Sequence, residues 1–336
     1  MIVATVFLIL FSGGAVFCYN FGQNCPQIMK ERKTITRRAF LKILPLVASP
    51  VITKYWSTEE DVGEIIEGPE REKEITVLLT GDVMLGRTVM LNSRGEANFN
   101  YPFDKTGEVL KAADLVLVNL ESPISESCPD LSEGFLLCSK PEMIGGLVYS
   151  GVDVASMANN HAHNLGEEGI EETKKLLNQN GIEVTGLGSL LIKEIKGVKF
   201  GILGFDFTSK KPVDSDYELI GMSKDKSDIL IVGVHWGTEY TSEPNEYQRT
   251  WAAKLIKAGA DVIVGHHPHW VQTVEFIDAK PVYYSLGNFV FDQMWSEKTK
   301  KGMVVKLAFN GAKLIKEERI PIYMSLWAQP EFVGDK

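Results

Sequence analysis

The sequence predicts an α/β protein, on three observations. Short apolar runs rich in Val, Ile, Leu and Phe recur from residue 75 onward, helix-period stretches separate several of them, and many runs end abruptly on a polar group. The runs "ITVLLTGD", "DLVLVNLE", "VDVASMANNH", "KFGILGFD", "ILIVGVHWG", "DVIVGHHPH", "PVYYSLGNF" and "GMVVKLAF" read as buried or half-buried strands. Between them, "LGEEGIEETKKLLNQNG" has Ile170, Leu176 and Leu177 at apolar positions behind an acidic first turn and stops at Gly181. The stretch "PNEYQRTWAAKLIKAGA" behaves likewise. No repeat, low-complexity tract or domain break interrupts this part.

Ahead of it lie two targeting signals. The opening "MIVATVFLILFSGGAVFCY" is apolar over about 18 residues, the lower limit for a membrane span. "TITRRAFLK", Thr34–Lys42, resembles a twin-arginine export signal, with Arg37 and Arg38 before Phe40 and Leu41 and the apolar run "ILPLVASPVI" behind. Two readings stand: translation from Met29, with the basic start "MKERKTITRR", or a true membrane anchor in front of the signal. Both put the working domain outside the cytoplasm. Residues 1–52 are then the export or anchor segment, residues 53–74 a charged, aperiodic linker containing Gly-Pro, and residues 75–330 the folded domain. Outside the cytoplasm a disulfide is permitted. Cys128 and Cys138, ten apart in a polar loop, are its candidates, the alternative being two unpaired thiols.

Composition excludes some functions. The 336 residues, 44% hydrophobic, suffice for a real core. Net charge is -9, so no basic field holds nucleic acid by its phosphates. Four cysteines without a CxxC pair argue against a zinc ribbon or a thioredoxin-like site.

The polar run endings carry the chemistry. They are Asp82, Glu121, the trio Asn159, Asn160 and His161, then His235, and finally His266, His267 and His269. In open α/β sheets ligands gather at the carboxyl ends of strands, so these groups converge on one edge. Asp, Glu, Asn and His together offer oxygen and nitrogen donors that suit a divalent Mn, Zn or Fe ion, and their number suffices for one or two ions. A lone histidine at a strand end is more often a hydrogen-bonded surface or core residue. Here all six histidines fall between residues 161 and 269 at or near strand ends, which points to a shared site. In extended backbone His267 and His269 face the same way, so His266 points elsewhere, either to a supporting hydrogen bond or to substrate.

With those residues in hand, the chain resembles the CapA family of capsule and poly-γ-glutamate synthesis proteins, whose domain is similar to the calcineurin-like metallophosphoesterases. The resemblance rests on "GDVMLGR", "DLVLVNLESPI", "GVDVASMANNHAHNLGEEGIEET", "HWGTEY", "AGADVIVGHHPHWVQ" and "YYSLGNFVFD", spread over residues 77–292. It implies a sandwich of two packed sheets flanked by helices, in αββα layers, with a metal centre at one edge. It further implies Asp82 and His269 on a first ion, Asn160, His235 and His267 on a second, Glu121 bridging them, and His161 as proton donor to a leaving group. Arg87, Asn159, Glu239, Tyr240, His266 and Asn288 are the candidate substrate contacts. For three of these a plainer role competes: a salt bridge for Arg87, wall packing for Tyr240, a turn for Asn288.

The chain departs from the phosphoesterases in places. Their Asp-x-His opening reads Asp82-Val83-Met84, which removes a histidine from the first ion, and Glu121 replaces their bridging aspartate. Where an aspartate often follows the Asn-His pair, His163 and Asn164 stand. The resemblance implies an anionic polymer or phosphoester as substrate and a membrane polymer-synthesis complex as context. Three functions follow as expectations: a metal-dependent hydrolase of phosphoester or γ-glutamyl amide bonds, a non-catalytic accessory subunit of that complex, or a polymer-binding module.

Overall fold

The structure, a computed structural model, describes residues 74–334 and the backbone of Phe7–Phe11 and Gly14–Cys18. Two units divide the chain, Met1–Glu70 and Arg71–Lys336. In the first, β1 (Phe7–Phe11) and β2 (Gly14–Cys18) pair antiparallel. The twin-arginine-like stretch Thr34–Lys42 and the linker residues 53–73 lie outside the described residues. No described helix is long and apolar enough to cross a membrane.

In the second unit, central strands that are apolar on both faces are sandwiched between layers. In β4 (Leu115–Leu120), Leu115 and Leu117 enter one core while Val116 and Val118 enter another. In β9 (Ile229–His235), Ile229 and Ile231 join the same core as Leu115, and Leu230, Val232 and Val234 a third. That shared core, with Val77 and Leu79 of β3 (Ile75–Val83), Phe200 and Ile202 of β8 (Val198–Asp206) and Val264 of β10 (Val262–His266), lies between two sheets. The larger sheet adds β5 (Val154–Ser156), β6 (Glu183–Thr185), β13 (Asn288–Val290), β14 (Lys301–Asn310), β15 (Lys313–Leu326) and β16 (Gln329–Phe332) to β3 and β4. The smaller adds β7 (Leu191–Ile195), β11 (Val274–Ile277) and β12 (Lys280–Tyr283) to β8, β9 and β10.

Helices cover the outer faces, completing the expected αββα layers. Over the larger sheet lie α1 (Arg87–Gly95), α2 (Gly107–Leu110), α3 (Ile144–Tyr149) and α4 (Gly166–Gln179), through Met90, Leu110, Leu147 and Leu177. Over the smaller lie α5 (Asp214–Lys224) and α6 (Glu246–Ala258), through Ile220, Leu255 and Ile256. The start of α6 is set by a capping box in which Asn245 and Gln248 each accept the other's backbone N–H, both at 3.0 Å.

Parallel pairing aligns the strand ends. Asp82 stands opposite Asn119, and Asn119 opposite Ser156. In the other sheet Asp206 stands opposite His235, and His235 opposite His266. The run "PVYYSLGNF", read as one strand, is two strands in different sheets: the chain leaves β12, turns at Gly287 with φ 68°, and pairs Asn288 of β13 with Asp82. Gly81 permits this approach, because a Cβ there would lie 2.1 Å from the Gly287 carbonyl oxygen.

Candidate metal centre

Three strand ends bring Asp82, Glu121 and His235 together, with one ligand atom of each within 4.8 Å of the others. All three are buried. Asp82 Oδ1 accepts from Asn119 Nδ2 and from His266 Nδ1, both at 2.9 Å, and Oδ2 lies 3.2 Å from His269 Nδ1. Glu121 differs: neither of its buried oxygens has a hydrogen-bond partner. Oε1 faces His235 Nε2 at 3.7 Å, His269 Nε2 at 3.8 Å and His161 Nε2 at 4.0 Å, beyond hydrogen-bond reach. His235 Nε2 and His267 Nδ1 are likewise buried without partners.

Buried polar atoms are normally satisfied. A convergent set of unsatisfied carboxylate and imidazole atoms fits the donor requirements of a divalent ion, whose bonds would replace the missing hydrogen bonds. The surroundings orient these donors. His269 Nδ1 lies 3.0 Å from Asn288 Oδ1, and Asn288 Nδ2 donates to Gln293 Oε1 and the Thr299 carbonyl, so Oδ1 is the atom turned to the histidine. His269 Nδ1 therefore carries a proton in either charge state of the ring, and Nε2 is directed at Glu121.

Electrostatics separates the carboxylates. Burial raises Asp82, but hydrogen bonds from His266 and His269 outweigh it and hold the carboxyl well below the usual range. Burial also raises Glu121, and there the attraction of His269 does not compensate, so the group ends well above its ordinary value. Burial lowers His235 and His267, and takes His161 down to about 4. His269 alone among them rises, to about 9, because Glu121 and Asp82 outweigh its burial.

The bacterial capsule synthesis protein PGA_cap family matches residues 76–293, which span the strand ends and the whole donor cluster. The chain belongs to that family. It is 30% identical to the capsule biosynthesis protein CapA of Bacillus anthracis, covering 85% of this chain and 77% of the relative. It is 27% identical to the PGA biosynthesis protein CapA of Bacillus subtilis, over 85% and 80%. A probable polyglutamine synthesis accessory protein of Mycobacterium tuberculosis is 24% identical, over 65% and 74%. Among solved structures, a hypothetical protein from Thermus thermophilus is similar at 13% identity and a TM-score of 0.49, over 74% of this chain and 98% of that one.

Several residues that the family resemblance marks stand differently from expectation. The backbone is not extended at His267 and His269, which have φ of 94° and 58°. β10 ends at His266, and a left-handed turn, not a strand period, brings the two rings to 6.2 Å from each other. Arg87 and Tyr240 are also left-handed, at 49° and 59°, each such residue costing about 1–3 kcal/mol that the surrounding structure must offset. His266 is buried against Asp82 and is not among the residues lining the cleft that opens over the site, a placement that matches the supporting hydrogen bond among its two expected roles. Asn288, expected at substrate, is buried and orients His269.

The two asparagines divide differently as well. Asn159, expected at substrate, is buried and donates to Asn119 Oδ1 and the Leu120 carbonyl. Asn160, expected on an ion, is exposed, and its side chain makes no hydrogen bond to a described residue. His163 lies apart from the cluster, 65% exposed and 3.2 Å from Glu167. Met84, at the missing histidine's place, is buried in the core beneath the helices.

Glu239, Tyr240 and Arg87 do line the cleft, which holds about 440 Å³ beside His161 and His269. Arg87 is not free there: its guanidinium forks onto Asp292 and donates to the Gly134 carbonyl at 2.6 Å. Cys128 and Cys138 are bridged, closing the loop that carries Gly134. Two further residues hold the cluster in roles that the sequence did not assign. Asn119 links Asp82, His235 and Asn159, and its one signal was its place before Glu121 at the end of β4. Asn164 Nδ2 lies 3.0 Å from His161 Nδ1 and donates to the carbonyls of Phe135 and Leu137.

Proposed function

We propose that this chain is an exported, metal-dependent hydrolase of capsule or poly-γ-glutamate biosynthesis that cleaves a phosphoester bond. The observation that carries the metal is Glu121, a buried carboxylate with both oxygens unpartnered among imidazoles. Asp82, Glu121, His235, His267 and His269 would hold one or two ions, with Mn, Zn or Fe suited to this donor mixture. A bound divalent ion supplies Lewis-acid charge and acidifies water.

The remaining work belongs to the protein's own groups. Asn164 Nδ2, shared among the Phe135 and Leu137 carbonyls and His161 Nδ1, holds the Nδ1 side of the ring and leaves Nε2 as the nitrogen facing the cluster. With its pKa down at about 4, His161 is neutral near pH 7 and acts as a hydrogen-bond donor to a departing or negatively charged oxygen. Arg87, locked by Asp292, forms part of the cleft wall. Export is supported by the twin-arginine-like stretch and by the Cys128–Cys138 bridge, which persists in oxidising compartments.

The test is metal analysis of the purified chain, coupled to hydrolysis assays on a generic phosphodiester and on poly-γ-glutamate with Mn2+, Zn2+ or a chelator. Metal-stimulated turnover that His267→Ala abolishes is expected. A second reading, an accessory subunit of a polymer-synthesis complex, is favoured by the name of the mycobacterial relative. It gains if His267→Ala loses metal while polymer assembly persists. Turnover of poly-γ-glutamate alone moves the reaction to γ-glutamyl amide hydrolysis.

A further inference from the structure

The cleft above the metal centre has an aromatic wall that the hydrolytic reading leaves unused. Tyr240 lies 5.9 Å from the His269 ring, and Trp295 meets Tyr240 edge to face at 4.9 Å and 80°, so the two rings form a right-angled corner one ring away from the donor cluster. Trp295 is 61% exposed, and Trp327 on the turn between β15 and β16, 49% exposed, lines the same cleft. Exposed rings gathered in one cleft, unlike single ones scattered over a surface, mark a binding site.

The charges of the lining identify what would cover them. Arg87 and Asp292 neutralise one another. His269 has Asp82 as its counter-charge at 3.2 Å, which leaves Glu133 and Glu239, both exposed and without an ion pair to a described residue. A ring of this surface already holds a cation: Lys298 Nζ sits 4.2 Å from the centre of the Trp270 ring, just outside the cleft lining, and Trp270 is a third ring neighbour of Tyr240, at 6.2 Å. A ligand bearing carboxylate alone would meet net negative charge here, whereas an ammonium would meet ring faces and two carboxylates, Glu239 hydrogen-bonded to Tyr240, that lack an ion pair to a described residue.

We infer that the corner formed by Tyr240 and Trp295, with Glu239 beside it, is a subsite for an organic ammonium group. Its location makes that ammonium part of the molecule presented to the metal centre, so the inference deepens the hydrolase reading and rests on it for the ligand's role, although not for its binding. The anionic portion goes to the ions and the cationic portion to the wall. Two sources carry such an ammonium, the free amino end of a γ-glutamyl chain, whose adjacent α-carboxylate would turn to the ions, and a choline-type head group.

The test titrates the full chain, with Mn2+ and with a chelator, by ligand-observed NMR. Choline is compared with neohexyl alcohol, which has its shape without its charge. Choline is expected to bind about tenfold more tightly than the alcohol, and Trp295→Ala, at an exposed position, to lose about fivefold or more of the choline affinity. Glu239→Gln weakens choline and leaves the alcohol unchanged. A γ-glutamyl dipeptide that binds more tightly than its N-acetylated form, measured with Mn2+, assigns the site to a polymer's amino end, and choline binding without that difference assigns it to a head group. Equal binding of choline and the alcohol, or full choline affinity in Trp295→Ala, overturns the inference. Choline binding by a chain that hydrolyses nothing sinks the hydrolase alone, and a working hydrolase indifferent to choline sinks the subsite alone.

Discussion

Replacing Glu121 with Gln separates a site built for a cation from a polar core that needs none. The carboxyl is buried and its oxygens have no hydrogen-bond partners. Two effects oppose each other in the metal-free protein. His269 Nε2, 3.8 Å away, attracts the carboxylate, and burial penalises it. The folded pKa stands well above the ordinary 4.5 despite that attraction, so burial wins and the charged form is a net cost. A group raised in the folded state contributes stability below its unfolded pKa and loses it as pH rises through the folded value, so the metal-free wild type weakens from about pH 4.5 upward. Glutamine keeps the shape and removes the charge, while His269 retains Asp82 as its counter-charge at 3.2 Å.

An uncompensated buried polar group costs about 1–3 kcal/mol, and about 1 kcal/mol moves the melting temperature of a domain this size by roughly 2–4 °C. In chelator and at neutral pH, Glu121→Gln is therefore expected to melt about 2–12 °C above wild type. With an ion at a hundred times its Kd the order reverses, because wild type gains about 2.7 kcal/mol from binding and the variant does not. Differential scanning calorimetry with Mn2+, Zn2+ and chelator measures both. A variant less stable than wild type in chelator, together with a wild type indifferent to every ion, would refute the reasoning.

Other perturbations test the scaffold. Gly81→Ala places a Cβ 2.1 Å from the Gly287 carbonyl oxygen and strains the Asp82 N–H bond to that oxygen, so a loss of about 1–3 kcal/mol accompanied by weaker metal binding is expected, read by melting and metal titration. Reducing Cys128–Cys138, which closes a separation of 10 residues, lowers stability by about 2–3 kcal/mol, seen as a lower melting temperature with reductant that Cys128→Ser reproduces. Asp114 is raised by burial and lowered more strongly by Lys196 and by the backbone and hydroxyl of Thr76, for a net depression. Its contribution is present above the ordinary 3.8 and lost as pH falls through the folded value, so Asp114→Asn flattens the acid limb of a pH–stability curve and an unchanged limb contradicts the assignment.

Much of this was legible from residue order. Two-faced apolar runs such as "LVLVNL" imply strands buried between layers, and in a parallel sheet the polar groups ending them meet at one edge. Asp82, Glu121, His235, His267 and His269 were chosen on that ground and do converge. The long β15 went unread because charged residues crowd "KLIKEERIPIYMSL" and the strand lies largely exposed, so it has no apolar run to announce it. The split of "PVYYSLGNF" into two sheets was equally silent, since both strands are apolar and the turn at Gly287 looks like any Gly-Asn pair.

The sequence by itself determined the layers, the edge and the donor types, because burial periodicity is local and donor chemistry belongs to each side chain. Only the tertiary structure decided which neighbour in a pair faces inward. Asn159 is buried where Asn160 is exposed, and His266 props Asp82 while His267 leaves a nitrogen unpartnered. Adjacent residues at a strand end differ by a single backbone rotation. That rotation is set by contacts from elements far away in sequence, such as the register of β13 on β3 and the left-handed turn after β10.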